Sequence, residues 1–245
     1  MGLRSGIFRP DLGKINREHV HTYPFIVAPK AVQSVLGDHM WSGTGLEADM
    51  LLPMPWYSKL AAGVFANGII LHHHADTDHD HAAENEQWAG NARWSQFFDL
   101  TAVTHLELGI NYYRNLTADS IVVGPQDLAG LDFKFKWRPD RFRSFTWQGE
   151  YFLVDNGEPE TVHAAYTFTN LQFNQVWNAG MVLDYCSDME EENYLGTGIF
   201  VGYSPAEHSS VFRLRMHQGT HGDEKEFTVM GQIIWALGPH KPHKF

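Results

Sequence analysis

One cysteine, Cys186, stands in a chain of 245 residues, so neither an internal disulfide framework nor a cysteine-built zinc site is available. No stretch approaches the roughly 18 consecutive apolar residues of a membrane-crossing helix, and mean hydropathy is −0.32. Charge is sparse at 19%, and basic residues are outnumbered 18 to 29, for a net charge of −11. A phosphate-binding face needs the opposite balance, which argues against a nucleic-acid partner. Residues 1–10 carry no apolar core and no small-residue cleavage site, so no secretory leader is visible in them.

Alternation fills the rest. Phe227, Val229, Gly231, Ile233, Trp235 and Leu237 fall on one side of the last segment, with Thr228, Met230, Gln232, Ile234 and Ala236 on the other. Leu131, Phe133, Phe135 and Trp137 alternate in the same way with Asp132, Lys134, Lys136 and Arg138. Period-two patterning marks a strand with two different environments. About twelve such segments run through the chain, joined alternately by short turns near residues 54, 102, 140, 172 and 206 and by longer polar loops near 25, 80, 120, 157, 190 and 221. Short turns on one side and long loops on the other are the layout of a transmembrane barrel, whose alternate polar residues hide it from hydropathy averaging. The fold expected is therefore all-β, a single antiparallel up-and-down transmembrane β-barrel of about twelve strands over residues 1–245. Trp56, Trp94, Trp137, Trp147, Trp177 and Trp235 are expected to face lipid.

A soluble barrel also alternates, with its apolar side inward. An eight-stranded soluble barrel encloses at most one small ligand, and twelve strands enclose a space too wide for their own side chains to fill. Turned the other way, the polar face needs no such filling. Glu47, Asp49, Asp99, Glu107, Asp132, Lys134, Lys136, Arg138, Glu150, Asp184, Arg213 and Arg215 would line a water-filled lumen with mixed charge, open to small solutes or metal ions. A barrel of the bacterial outer membrane must first cross the inner membrane, so an upstream part is expected to be missing.

Several stretches resemble a known family. They are Gly6-Ile7-Phe8-Arg9-Pro10, Gly13-Lys14-Ile15-Asn16-Arg17 and His19-x-His21-Thr22-Tyr23-Pro24-Phe25, then Leu36-Gly37, Gly43-Thr44-Gly45-Leu46 and Leu51-Leu52-Pro53-Met54-Pro55-Trp56-Tyr57, with residues 236–245 at the other end. The family is one of Gram-negative outer-membrane proteins labelled zinc-regulated TonB-dependent outer membrane receptors, and the resemblance covers nearly the whole chain. It implies a barrel in the outer membrane, a connection with metal, and transport. It also implies that Phe245, a terminal aromatic, is a recognition feature for the barrel-assembly machinery.

The densest candidate chemistry is His72-His73-His74-Ala75-Asp76-Thr77-Asp78-His79-Asp80-His81. Imidazole and carboxylate suit Zn²⁺, and a long loop can wrap three or four of them around one ion. His19, His21 and His39, on a neighbouring long loop, are further candidates. A solvated tract that binds metals weakly and without fixed geometry is the alternative. His240 and His243 are poorer candidates, because two histidines on a tail seldom complete a site. No catalytic motif is present, no G-x-S-x-G and no H-E-x-x-H, and His163, His217, Ser209 and Ser210 show no spacing that assembles a lipid hydrolase. The function expected is porin-like or metal-uptake-associated and not enzymatic. A surface metal-binding or structural barrel without channel activity is the alternative.

Overall fold

The computed structural model describes residues 1–69, 87–117, 124–157, 161–189, 192–206 and 210–235. Among these residues, twelve strands form one antiparallel sheet: β1 (Gly2–Phe8), β2 (Gly43–Leu51), β3 (Tyr57–Phe65), β4 (Ala89–Thr101), β5 (Thr104–Asn115), β6 (Asp127–Trp137), β7 (Ser144–Asp155), β8 (Val162–Gln172), β9 (Trp177–Met189), β10 (Glu192–Ala206), β11 (Ser210–His221) and β12 (Glu224–Trp235). Each strand pairs with the next in sequence, so the order is strictly up and down, with β1 and β12 at the two ends of the row.

Local chemistry fixes the short turns. Between β6 and β7 the Asp140 carboxylate accepts the backbone N–H groups of Phe142 and Arg143, at 2.9 and 2.8 Å. Asn174 does the same between β8 and β9 for Val176 and Trp177. Side chains of this kind stand in for a backbone turn partner. Pro53 and Pro55 punctuate the β2–β3 connection by removing two donors.

The pleat gives the sheet two unlike faces. On one, Leu46, Leu60, Val64, Leu108, Ile110, Leu131, Met181, Leu183, Ile199, Leu214 and Met216 are exposed, together with Trp137, Trp147 and Trp177. Exposure rises to 70% at Ile233 and 74% at Trp235 on β12. Phe133 lies against Trp147 on this face, and Phe227 is exposed. An apolar side chain at most positions on one face of a long sheet is far more than the scattered surface apolar residues of an ordinary soluble domain.

The opposite face is covered by residues 9–42, the connection between β1 and β2. It holds two 3₁₀ turns (Ile15–Arg17 and Val20–Thr22) and the helix α1 (Lys30–Leu36). Leu12, Ile15, Tyr23, Phe25, Val32, Val35, Leu36 and Trp41 from this connection form one core with Phe65, Tyr113, Leu128, Phe152, Phe168, Val182 and Phe200 of the sheet. Phe25 packs edge-on against Phe168, and Trp41 edge-on against both Phe65 and Tyr113. Burying one such aromatic contributes about 3 kcal/mol. Two expectations are corrected here. The stretch from Arg9 to Ser42 is not a polar outer loop, and the charged face is not left to water. The segment's Tyr23, Phe25, Val32, Val35 and Trp41 have no strand period, and they supply the filling that the sheet's own side chains lack.

Strand positions match the sequence reading, but most strands run further toward the long connections. β4 begins at Ala89, ahead of the sharp alternation that sets in at Trp94, and β5 continues to Asn115, past the alternation that ends at Tyr112. In the β4 extension, Ala89 to Ala92, both faces carry small or polar residues, so the alternation loses its contrast there.

Candidate functional site

Residues 10–18 are held by charge. Asp11 accepts a hydrogen bond from Lys59 of β3 at 2.6 Å and lies 3.2 Å from Arg17. Its backbone N–H donates to Glu47 of β2 at 2.7 Å. Burial works against ionisation of Asp11, but Arg93, Arg17 and Lys59 outweigh it and hold the carboxyl below the usual carboxylate range. The Gly13 N–H donates to Asn111 of β5 at 2.8 Å, and the Gly13 carbonyl accepts from Arg93 of β4. Lys14 pairs with Glu107 of β5, while the N–H groups of Lys14 and Ile15 point at the two oxygens of Glu150 on β7, at 2.9 and 2.8 Å. The Tyr166 hydroxyl of β8 donates to the same carboxylate at 2.6 Å. Glu150 thus meets three donors.

Residues 23–36 are held differently. Arg215 of β11, buried, donates to the carbonyls of Phe25 and Val27, both at 3.1 Å. Asp184 of β9 accepts the Lys30 N–H at 2.7 Å, supplying the start of α1 with the acceptor that Pro29 lacks. Aromatic and aliphatic packing does the rest. Glu18, at the join of the two parts, has its carboxyl pushed up by burial, against the pull of Lys134 and Lys14. Burial pushes the Tyr23 hydroxyl up to about 12.

Of the twelve charges expected to line a lumen, Glu47, Asp132, Glu150, Asp184 and Arg215 are buried beneath or against the segment. Glu107 and Arg213 also bind it, Arg213 through the His21 carbonyl at 2.9 Å. Asp99 pairs with His105 at 2.6 Å, Asp49, Lys134 and Lys136 are half-buried, and Arg138 is exposed just past the end of β6. Most of the set therefore anchors protein rather than water.

The His72–His81 tract, His240, His243 and Phe245 lie outside the described residues. His19 and His21 stack with ring centroids 5.5 Å apart, and the His39 carbonyl accepts a bond from Arg9. Among the described residues no three His, Cys, Asp or Glu side chains are grouped to hold a metal. The imidazoles weighed for a hydrolase are otherwise engaged. His163 bonds the Tyr151 hydroxyl at 2.7 Å, and His217 bonds Tyr194 and Arg215.

Sequence reading missed Asp11, Arg93, Asn111 and Tyr166. Arg93 was masked by its small neighbours on β4. Asp11 gave no period to read, although its spacing from Lys14 and Arg17 is that of a compact turn.

A relative exists in Aquifex aeolicus. It is an uncharacterized protein, 21% identical over 297 aligned positions that take in 99% of this chain and 60% of the relative. This chain thus spans about three-fifths of that protein's length. No family model matches the chain, and no solved structure matches it.

Proposed function

We propose that this protein is a β-barrel of the bacterial outer membrane whose interior is closed by its own residues 9–42, and that it handles small solutes or metal ions without enzymatic chemistry. The observation that carries the reading is the apolar face exposed along the whole sheet, opposite a face already buried against protein. In water that face is a large unfavourable surface; in lipid it is matched to its solvent.

Three further observations support it. Along β9 the exposed face runs from Trp177 through Met181 and Leu183 to Tyr185. That is about 27 Å along the strand, or about 20 Å in height at a tilt of about 40°, near the apolar band of an outer-membrane barrel with its aromatic girdles. Next, the segment touches β2 through Asp11 and β11 through Phe25, and these two residues are only a few hydrogen bonds apart, through Asn16 to Pro10 and through Tyr23 to Ile15. A flat sheet would separate β2 from β11 by about 43 Å, so strong curvature goes with this contact, as a closing barrel requires. Finally, an open edge in lipid leaves backbone groups unpaired at several kcal/mol each, which favours β1 meeting β12.

The resemblance to zinc-regulated receptors and the His72–His81 tract make zinc the leading candidate for the captured ion. An interior filled with protein argues for a gated or receptor role over a wide, constantly open pore.

The test is fractionation and reconstitution. The protein is expected in the outer membrane, with a folded form that migrates differently on gels before and after heating and that shows little conductance in planar bilayers. A protein that stays folded and monomeric in buffer without detergent overturns the reading.

A further inference from the structure

The two halves of the inward segment are attached in physically different ways, and the strain lies in only one of them. Residues 10–18 are pinned by buried charge to β2, β3, β4, β5 and β7. Residues 23–36 sit on an apolar patch of β8 to β10 and are tied to the sheet by Arg215, by Asp184 and by the contact of Ser34 with Cys186.

Between those ties Ile26 adopts φ +74°, and the Val27 N–H bonds back to the Phe25 carbonyl at 3.0 Å. This is a γ-turn with positive central φ, a rare and strained arrangement, here carried by a β-branched residue. Such a residue stays there only when its surroundings over-determine it. The determinant is visible, since one nitrogen of Arg215 grips the carbonyls on both sides of Ile26. At the far end of α1 the chain turns through Gly37 at φ +77° and Met40 at φ +64°, a natural pivot. There is also room to move: the inner residues of β12, Thr228, Met230, Gln232 and Ile234, are only half-buried.

We propose that Arg215 is a catch on a spring-loaded lid: residues 23–36 swing away from β8–β11 when its grip on the Ile26 turn is lost, while residues 10–18 stay in place. The swing turns the closed interior into a passage along β8 to β12. The inference goes beyond the membrane reading and does not depend on it, because it is tested on folded protein in detergent.

Cys186 is a built-in reporter. It is buried beneath α1, with its sulfur 3.2 Å from the Ser34 hydroxyl. The rate of maleimide labelling of this thiol, under native conditions, reads how often the lid lifts. Arg215→Met is expected to raise the rate at least tenfold, with the heat-dependent gel shift retained. Arg215→Lys, which keeps the charge but not the two-pronged grip, is expected to fall between. Arg93→Met, which loosens the pinned half, is expected to stay within twofold of the parent. A folded Arg215→Met that labels at the parent rate overturns the proposal. So does Arg93→Met accelerating labelling as much, and should Arg215→Met not fold, Arg215→Lys at the parent rate has the same force. Failure of the membrane reading would show separately, as folding without detergent.

Discussion

Arg93 on β4 donates to Asp132 on β6 at 2.9 Å, across the whole width of β5. The contact is made possible by what β5 omits. A methyl group on Gly109 would lie 2.3 Å from one oxygen of Asp132 and 2.6 Å from the other. Glycine at 109 lets the carboxylate lean flat over the strand toward Arg93 and Asn111.

Gly109→Ala is therefore expected to destabilise the fold by about 1–3 kcal/mol, since the displaced carboxylate is buried and its partners cannot follow it. The midpoint of the heat-dependent gel shift should fall. Gly231→Ala, where nothing lies within 4 Å of the added carbon, serves as the neutral comparison.

Acid should loosen the pinned half through Asp11. Its carboxyl titrates lower in the fold than in the unfolded chain, so its stabilisation is present above the unfolded value of about 3.8 and fades as pH falls through the folded value. Glu18 runs oppositely: raised by burial, it favours the fold more as it becomes protonated. Asp11→Asn should lower stability at pH 7, and its gap to the parent should shrink at pH 3. An equal gap between the two proteins at both pH values would contradict the assignment.

Closure is open to a direct chemical test. Cysteines placed in pairs on β1 (Leu3, Ser5, Ile7) and β12 (Val229, Gly231, Ile233), in a Cys186→Ser background, should include at least one pair that oxidises within a single chain. Disulfides need Cα atoms within about 7 Å, so a full set of failures means that the two end strands stay apart.

Zinc capture by residues 72–81 makes its own forecast. Binding should weaken as pH falls through about 6.5, where imidazoles protonate. Replacing His72, His73, His74, His79 and His81 by Ser should remove it without changing the gel shift. Retained affinity would move attention to His19, His21 and His39, the first two with rings already stacked.

The strand skeleton was legible because the two faces of the sheet differ so sharply in polarity. β6 declares itself through Phe133 and Lys134 alone. The inward segment was not legible, because its information is distributed. Tyr23, Phe25 and Val32 look like apolar residues scattered through a loop until Phe168, Val182 and Phe200 are brought beside them from far along the chain. For the same reason Glu150 and Arg215 were readable as inward-facing charges but not as anchors. What they hold in the segment are backbone groups, Lys14 and Ile15 for one, Phe25 and Val27 for the other, and backbone groups leave no mark in a sequence.

The position of the inward segment in the chain also sets a schedule. It is made before its partners, since Lys14 meets Glu150 across 136 residues and Phe25 meets Arg215 across 190. While those partners are still being made, an aromatic-rich stretch has nowhere to go, a condition that invites aggregation. Contacts this distant also make folding slow. A sheet that curled up first would shut the segment out, so the strands must be laid around it. The segment is then the mandrel on which the sheet is wound, and any factor that delivers this chain to its destination has to keep residues 9–42 sheltered until the last strands arrive.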